Sequence, residues 1–205
     1  MQVFITIAAL ALAQAPPPQN WAPRAAPTDY QSQAKAGQVT IAADFTGHSI
    51  PVDPGPLSTE DYVVVEVALY GPADAKAKIS IEHFTLAING KKNSVAAVPF
   101  GMIFPSLKDP SWAPPEGSDS GKSKTKVGGS GQGQNDPPPT PPKMPLELVR
   151  ACQQRVQKSV LPEGDRTLPQ AGLIFFPYRG KADKIKSIEL TYAGSAGTTT
   201  ITLQP

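Results

Sequence analysis

Tyr62-Val63-Val64-Val65-Glu66-Val67-Ala68-Leu69-Tyr70 is the stretch that decides the fold class. Side chains branched at Cβ are stiff at χ1 and, with aromatics, suit a pleated, buried surface, so this run reads as a strand with Glu66 its only charge. Upstream, Val39, Ile41, Ala43 and Phe45 alternate with other residues at the period of a half-buried strand, and Gly47, Pro51, Pro54 and Pro56 break the pattern. Downstream, residues 78–88 change phase. Ile79 and Ile81 share one parity while Phe84, Leu86 and Ile88 share the other, which predicts a bulge near Glu82-His83. Asn89-Gly90-Lys91-Lys92 predicts a hairpin turn, because Asn-Gly readily takes the positive φ values of a type I′ turn.

Residues 94–98 return from that turn, and residues 100–104 extend the strand or cover the sheet edge. Three later segments, 172–176, 184–192 and 198–203, complete a set of seven or eight strands, with residues 194–197 as the final turn. Breaks this frequent predict a mainly β chain: an antiparallel sandwich of the immunoglobulin kind. One helix interrupts the series over residues 145–160. Pro145 suits its first turn, Leu148, Val149, Cys152, Val156 and Val160 form one apolar face, and Arg150, Gln153, Gln154 and Gln157 line the other. Such a helix packs on the sandwich, with Cys152 acting as a small hydrophobe.

Of 205 residues, 24 are proline and 17 glycine, so together they make up about 20%, against roughly 12% in average usage. The excess is local. Pro16, Pro17, Pro18, Pro23 and Pro27 follow the apolar N-terminus, and ten more lie from Pro105 to Pro145. Residues 3–13 are apolar except for Thr6, too short for the ~20 residues of a membrane-spanning helix. Followed by Ala11-Leu12-Ala13 and Ala13-Gln14-Ala15, they read as a signal peptide over 1–13, with cleavage after 15 as the alternative; no Lys or Arg precedes them. The mature chain would then hold no transmembrane span, and its localisation is periplasmic or extracellular. Residues 14–36 are expected as a Pro/Ala-rich spacer, and residues 109–143 as a disordered Pro/Gly/Lys linker interrupting a domain that spans 37–205.

The run Tyr62 to Val67, then Ile79, Phe84-Thr85-Leu86 and Asn89-Gly90, resembles the exported bacterial immunoglobulin-like domains of unknown function carried by lipoproteins and secreted antigens. Leu168-Pro169-Gln170-Ala171-Gly172-Leu173-Ile174-Phe175-Phe176-Pro177 and Ile188-Glu189-Leu190-Thr191-Tyr192 look like the second half of such a domain. The likeness covers about half the chain and departs from the family in lacking a lipobox and in its long insert. It implies an adhesion, scaffolding or accessory role in the envelope, and brings no catalytic residues.

Composition excludes several chemistries. A single cysteine, Cys152, forms no intramolecular disulfide and no multi-Cys metal site, and a net charge of +2 gives no reason to expect nucleic acid. There is no G-x-S-x-G elbow, and Gly128-Gly129-Ser130-Gly131-Gln132-Gly133 lacks the Lys-Ser/Thr of a phosphate loop. The metal-ligand candidates are His48, His83, Asp53 and Asp61, with Asp44, Glu60 and Glu82 near them, but no D-x-D-x-D-G spacing exists and no metal or cofactor is expected. Charge is uneven: residues 37–119 hold five Lys and ten acids, whereas residues 120–160 hold seven Lys or Arg and two acids. Lys122, Lys124 and Lys126 therefore read either as an arm for an anionic envelope polymer or as a solubilising linker. Trp21-Ala22-Pro23 and Trp112-Ala113-Pro114 repeat a triplet, and both tryptophans are candidates for partner contact or for covering an apolar patch. The functional expectation is a non-enzymatic binding or structural module of the bacterial envelope, with an envelope protein or anionic polymer as partner. The alternatives are a carbohydrate- or metal-binding accessory protein, and a subunit that self-assembles by strand addition.

Overall fold

A computed structural model describes residues 21–90, 94–114 and 143–205. Its elements are β1 (Ser32–Ala36), β2 (Val39–Gly47), β3 (Ser49–Ile50), β4 (Leu57–Thr59), β5 (Tyr62–Tyr70), β6 (Lys76–Ile79), β7 (Phe84–Ile88), β8 (Val95–Ala96), β9 (Leu107–Lys108), α1 (Leu146–Ser159), β10 (Gly164–Thr167), β11 (Gln170–Pro177), β12 (Ile188–Gly194) and β13 (Gly197–Leu203). The chain is mainly β and its named sheets are antiparallel throughout.

Two four-stranded sheets share one apolar core. The first has the order β1-β2-β5-β11 and the second β13-β12-β7-β8, with two small sheets, β10-β6 and β3-β4-β9, beside them. Alternate side chains decide which face each residue serves. Val63, Val65, Val67 and Leu69 of β5, with Ile41 and Ala43 of β2 and Ile174 and Phe176 of β11, meet Phe84, Leu86, Ile188, Leu190, Tyr192, Ile201 and Leu203 of the second sheet. The other face of β5 is covered as well. Val64 packs in a separate cluster with Cys152 and Val156 of α1, and Ala68 in a third with Tyr30. β5 is thus buried on both faces, flanked by α1 and the N-terminal segment on one side and by the second sheet on the other.

The N-terminal cover fits because the sheet is thin beneath it. Ala42, Ala68 and Ala171 are direct partners across β2, β5 and β11. Their methyl groups form a trough that takes Tyr30, with Trp21 and Tyr70 packed against it. Beside the trough Asp44 and Glu66 are also direct cross-strand partners, which sets two carboxylates opposite each other. Arg24 resolves that repulsion: Nη2 lies 2.5 Å from Asp44 Oδ2 and 2.9 Å from Glu66 Oε2, while Nη1 donates to Asp29 O at 2.5 Å. Its guanidinium carbon sits 4.2 Å from the Tyr30 ring centroid, and Tyr70 Oη donates to Arg24 O at 2.8 Å. Burial pushes the Tyr30 and Tyr70 hydroxyls up from the usual tyrosine range, so both stay neutral.

Several expectations change here. The spacer expected over 14–36 contains β1, which pairs with β2 from Ser32↔Ala43 to Ala36↔Val39, and its described part lies on the sheet; low hydrophobicity hid the contribution of Tyr30 and Arg24. The expected bulge at Glu82-His83 is instead a 3₁₀ turn, Ile81–His83, with Ser80 Oγ accepting from Glu82 N at 3.3 Å. The phase change marks a change of sheet: β6 pairs with β10, and β7 with β12. Residues 100–104 belong to a 3₁₀ segment, Phe100–Ser106, that buries Ile103. β12 begins at Ile188, after a 3₁₀ turn at Ala182–Lys184. Asn89 and Gly90 both take positive φ, 56° and 61°, as the turn requires. The segment 1–13 expected as a signal peptide, residues 14–20, residues 91–93 with Lys91 and Lys92 of the expected turn, and residues 115–142, including Lys122, Lys124 and Lys126, lie outside the described residues.

The outer edge of β11, one place where a strand could add, is bridged from two directions. Val98 N donates to Phe175 O at 2.9 Å and Leu161 N to Leu173 O at 3.1 Å. At the other end, bare glycine backbone is needed at Gly194, where a Cβ would collide with Tyr192 Oη and His83 Nδ1. No described helix is long and apolar enough to cross a membrane.

The Arg24 cluster sets a stability prediction. Arg24→Ala leaves Glu66, whose side chain is 8% exposed, without its counter-charge. Since Arg24 is itself 35% exposed, the loss should be about 2 kcal/mol, below the ~3–5 kcal/mol of a fully buried pair. Urea denaturation of Arg24→Ala and of Arg24→Ala with Glu66→Gln should show the second variant recovering part of that loss.

Candidate functional site

Helix α1 and the proline loop of residues 51–56 form the most elaborated face of the molecule. Pro145 precedes the helix with φ −53°, and the chain leaves it in extended form at Val160, one residue before Leu161 joins the β11 edge. Cys152, Val156 and Ser159 are its buried residues; Cys152 and Val156 pack in the cluster that holds Ile50, Val52, Leu57, Ile103, Leu173 and Phe175, and Ser159 Oγ donates to Val156 O at 2.8 Å. The expected apolar face is corrected at its start: Leu148 is 43% exposed, because burial begins only at the turn containing Cys152.

Arg155 fixes the loop to the helix. Its Nε donates to Asp53 O at 2.6 Å, and Nη2 donates to Val52 O at 3.2 Å and to Gly55 O. A loop with prolines at 51, 54 and 56 has few N–H groups of its own, so its carbonyls need donors from elsewhere. A guanidinium supplies several in a rigid plane. The remaining Nη1 lies 3.8 Å from Asp109 Oδ2.

Asp109 joins the next segment to this clamp. It accepts from Ser111 Oγ at 2.6 Å and Ser111 N at 2.9 Å, and Cys152 Sγ lies 3.9 Å away. Those hydrogen bonds, with Arg155 adding to them, hold its carboxyl below the usual carboxylate range. Burial and the neighbouring Asp109 charge push the Cys152 thiol up. Cys152 therefore stays protonated, a poor nucleophile.

Two hollows flank Arg155. One, about 360 Å³, is lined by Trp21, Val52, Asp53, Arg155, Lys158 and Ser159. The other, about 380 Å³, is lined by Pro54, Gly55, Pro56, Asp109, Pro110, Ser111 and Arg155. In the first, Trp21 is set by its packing against both the helix cluster and the Tyr30 trough. Asp53 and Lys158, both exposed, line it, and neither side chain makes a hydrogen bond or ion pair to another described residue. Sequence reasoning named Trp21 and Asp53 separately, and the fold brings them together.

The other sequence candidates sit apart. His48 is tied between two carbonyls, Nδ1 2.7 Å from Tyr62 O and Nε2 2.8 Å from Gly180 O, and stacks on Tyr178. His83 meets the Tyr192 ring edge-on at 5.9 Å between centroids. Asp61 pairs with Arg179 at 3.2 Å. Trp112 is half-buried at the turn where its N–H donates to Asp109 O at 3.1 Å. Among the described residues, no three His, Cys, Asp or Glu side chains converge as a metal site. Arg155, Lys158, Asp109 and Arg24 were not singled out from sequence; a donor-poor proline loop was visible there, but not that Arg155, about a hundred residues on, would meet it.

Searches of protein-family models, curated proteins and solved structures found no match to the chain.

Asp109 supplies a pH test. Its folded pKa lies below the unfolded value, so its stabilisation is present above the ordinary carboxylate range and is lost as pH falls through the folded pKa. Asp109→Asn should cost about 1 kcal/mol at neutral pH, with the gap to the parent closing under acid. The same variant removes a negative charge beside Cys152, so alkylation of the thiol by iodoacetamide at mildly alkaline pH should quicken. An unchanged alkylation rate would show that Asp109 does not act on the thiol.

Proposed function

We propose that this chain is an exported, non-enzymatic binding module of the bacterial cell envelope, built on an immunoglobulin-like sandwich. Two four-stranded antiparallel sheets sharing a core support the sandwich reading, together with the residue resemblance in both halves of the domain. The apolar N-terminal run followed by small residues supports export.

One observation carries the binding role: the hollow of Trp21, Asp53 and Lys158, walled by a loop that Arg155 holds rigid. An aromatic face with polar groups converging beside it, on a preorganised loop, is suited to recognition. Three of the residues weighed from sequence for metal or nucleophilic chemistry are engaged elsewhere. His48 bridges two carbonyls, Asp61 meets Arg179, and Cys152 is held as a thiol. An anionic partner suits the hollow, because Lys158 lines it and makes no ion pair with another described residue.

The test is co-sedimentation of the mature protein with isolated bacterial envelopes, alongside mass spectrometry of the N-terminus after expression in a bacterial host. Processing near residue 13 or 15 and binding that Lys158→Glu weakens about tenfold are expected. An unprocessed cytoplasmic chain, or envelope binding that the substitution leaves intact, would overturn the reading.

A further inference from the structure

We propose that the Trp21 hollow is a subsite for one sugar ring bearing a carboxylate, of the uronic-acid type, within an anionic polysaccharide. The inference rests on the hollow being the binding face, and names the chemistry of its ligand.

Four features of the hollow point the same way. Its volume of about 360 Å³ lies in the ~300–1,000 Å³ range of small-molecule sites. Trp21 gives a broad apolar surface with a polar edge, which suits the C–H face of a pyranose ring. Lys158 is a compact point charge on a flexible stem, able to pair with a carboxylate. Asp53 is acceptor-only, so it takes hydrogen bonds from ring hydroxyls, and as an ionised acceptor makes them stronger than a neutral group would. A carboxylate-bearing sugar engages both charged residues at once, using its acid on Lys158 and its hydroxyls on Asp53.

Other ligands use the hollow less completely. Arg155 is not free for a phosphate, since its N–H groups face Val52, Asp53 and Gly55 carbonyls and the Asp109 carboxylate. A polyphosphate or nucleic acid would then meet one lysine and be repelled by Asp53. A β-strand peptide would need a free sheet edge beside the hollow, and the nearby β11 edge is bridged by Val98 and Leu161. A simple polyanion would use Lys158 and leave Trp21 and Asp53 idle.

Pre-organisation favours the site. The Asp53 backbone carbonyl is held by Arg155, so the carboxylate stands on a fixed loop. Binding of one ring through a single open hollow should nevertheless be weak. Useful affinity would come from many rings on one polymer meeting several copies of the protein.

The test uses the full mature chain carrying Trp112→Phe, so that Trp21 is the sole tryptophan reporter. The probes are short oligomers of galacturonate and of mannuronate, their methyl esters, and polyglutamate as an anion without a sugar ring. Galacturonate or mannuronate oligomers should quench or shift Trp21 emission, whereas the esters and polyglutamate should not. Lys158→Met should weaken uronate binding about tenfold and Asp53→Asn several-fold, while Lys35→Met, on β1, should leave it unchanged. Equal binding of the methyl esters would overturn the carboxylate assignment, and equal binding of polyglutamate would overturn the sugar assignment. Silence from both uronates overturns the inference. If Lys158→Glu still abolishes envelope sedimentation in that case, the envelope reading stands and only the ligand class falls.

Discussion

The whole architecture depends on one constraint: β5 has no face that can meet water. Its odd-numbered side chains, Val63 to Leu69, need one apolar partner, and Val64 and Ala68 on the opposite face need another. The second sheet answers the first need. The second is met in two pieces, by α1 over Val64 and by the N-terminal segment over Ala68. Strands buried on both faces read as near-continuous apolar runs rather than clean alternations, and the run at residues 62–70 is of that kind. A plain two-layer sandwich would leave half of it exposed.

Each of the two outer covers is fastened by an arginine, and the two fastenings differ in kind. Arg24 satisfies charge: it joins two carboxylates that the strand register forces into opposition. Arg155 satisfies backbone: it donates to carbonyls of a proline-rich loop that has few donors of its own. Both exploit the flat, multi-donor guanidinium, which a lysine would not replace. Between them they set Trp21, Asp53 and Lys158 around one hollow. The hollow is therefore a by-product of how the outer covers are secured to the sheet.

Much of the sheet was legible in the residues. The runs at 39–45, 62–70, 172–176 and 198–203 all fall within strands, and Asn89-Gly90 takes the turn conformation its chemistry favours. What was hidden depended on contacts distant in sequence. The phase change around Glu82-His83 was visible, but local pattern does not say whether it marks a bulge or a strand passing to another sheet. Tyr30 and Arg24 stand among Pro, Ala and Gln, a composition that reads as a spacer, and it takes the alanine trough under Tyr30 and the Asp44 and Glu66 carboxylates on Arg24, all from other strands, to make them structural. The hollow was half legible: Trp21 and Asp53 were noticed for their residue types, but their meeting depends on Arg155, about a hundred residues further along the chain.

The row of three alanines gives the site a vulnerability at a distance. Ala42, Ala68 and Ala171 do not line the hollow, yet they set the height at which Tyr30, and with it Arg24 and Trp21, rests on the sheet. Each acts as a spacer of fixed thickness. A larger side chain at any of the three would lift the N-terminal segment as a wedge lifts a lid, and Trp21 would swing out of the wall it forms. Selection for the hollow would then be felt most sharply at residues that meet no ligand, on the floor of the trough.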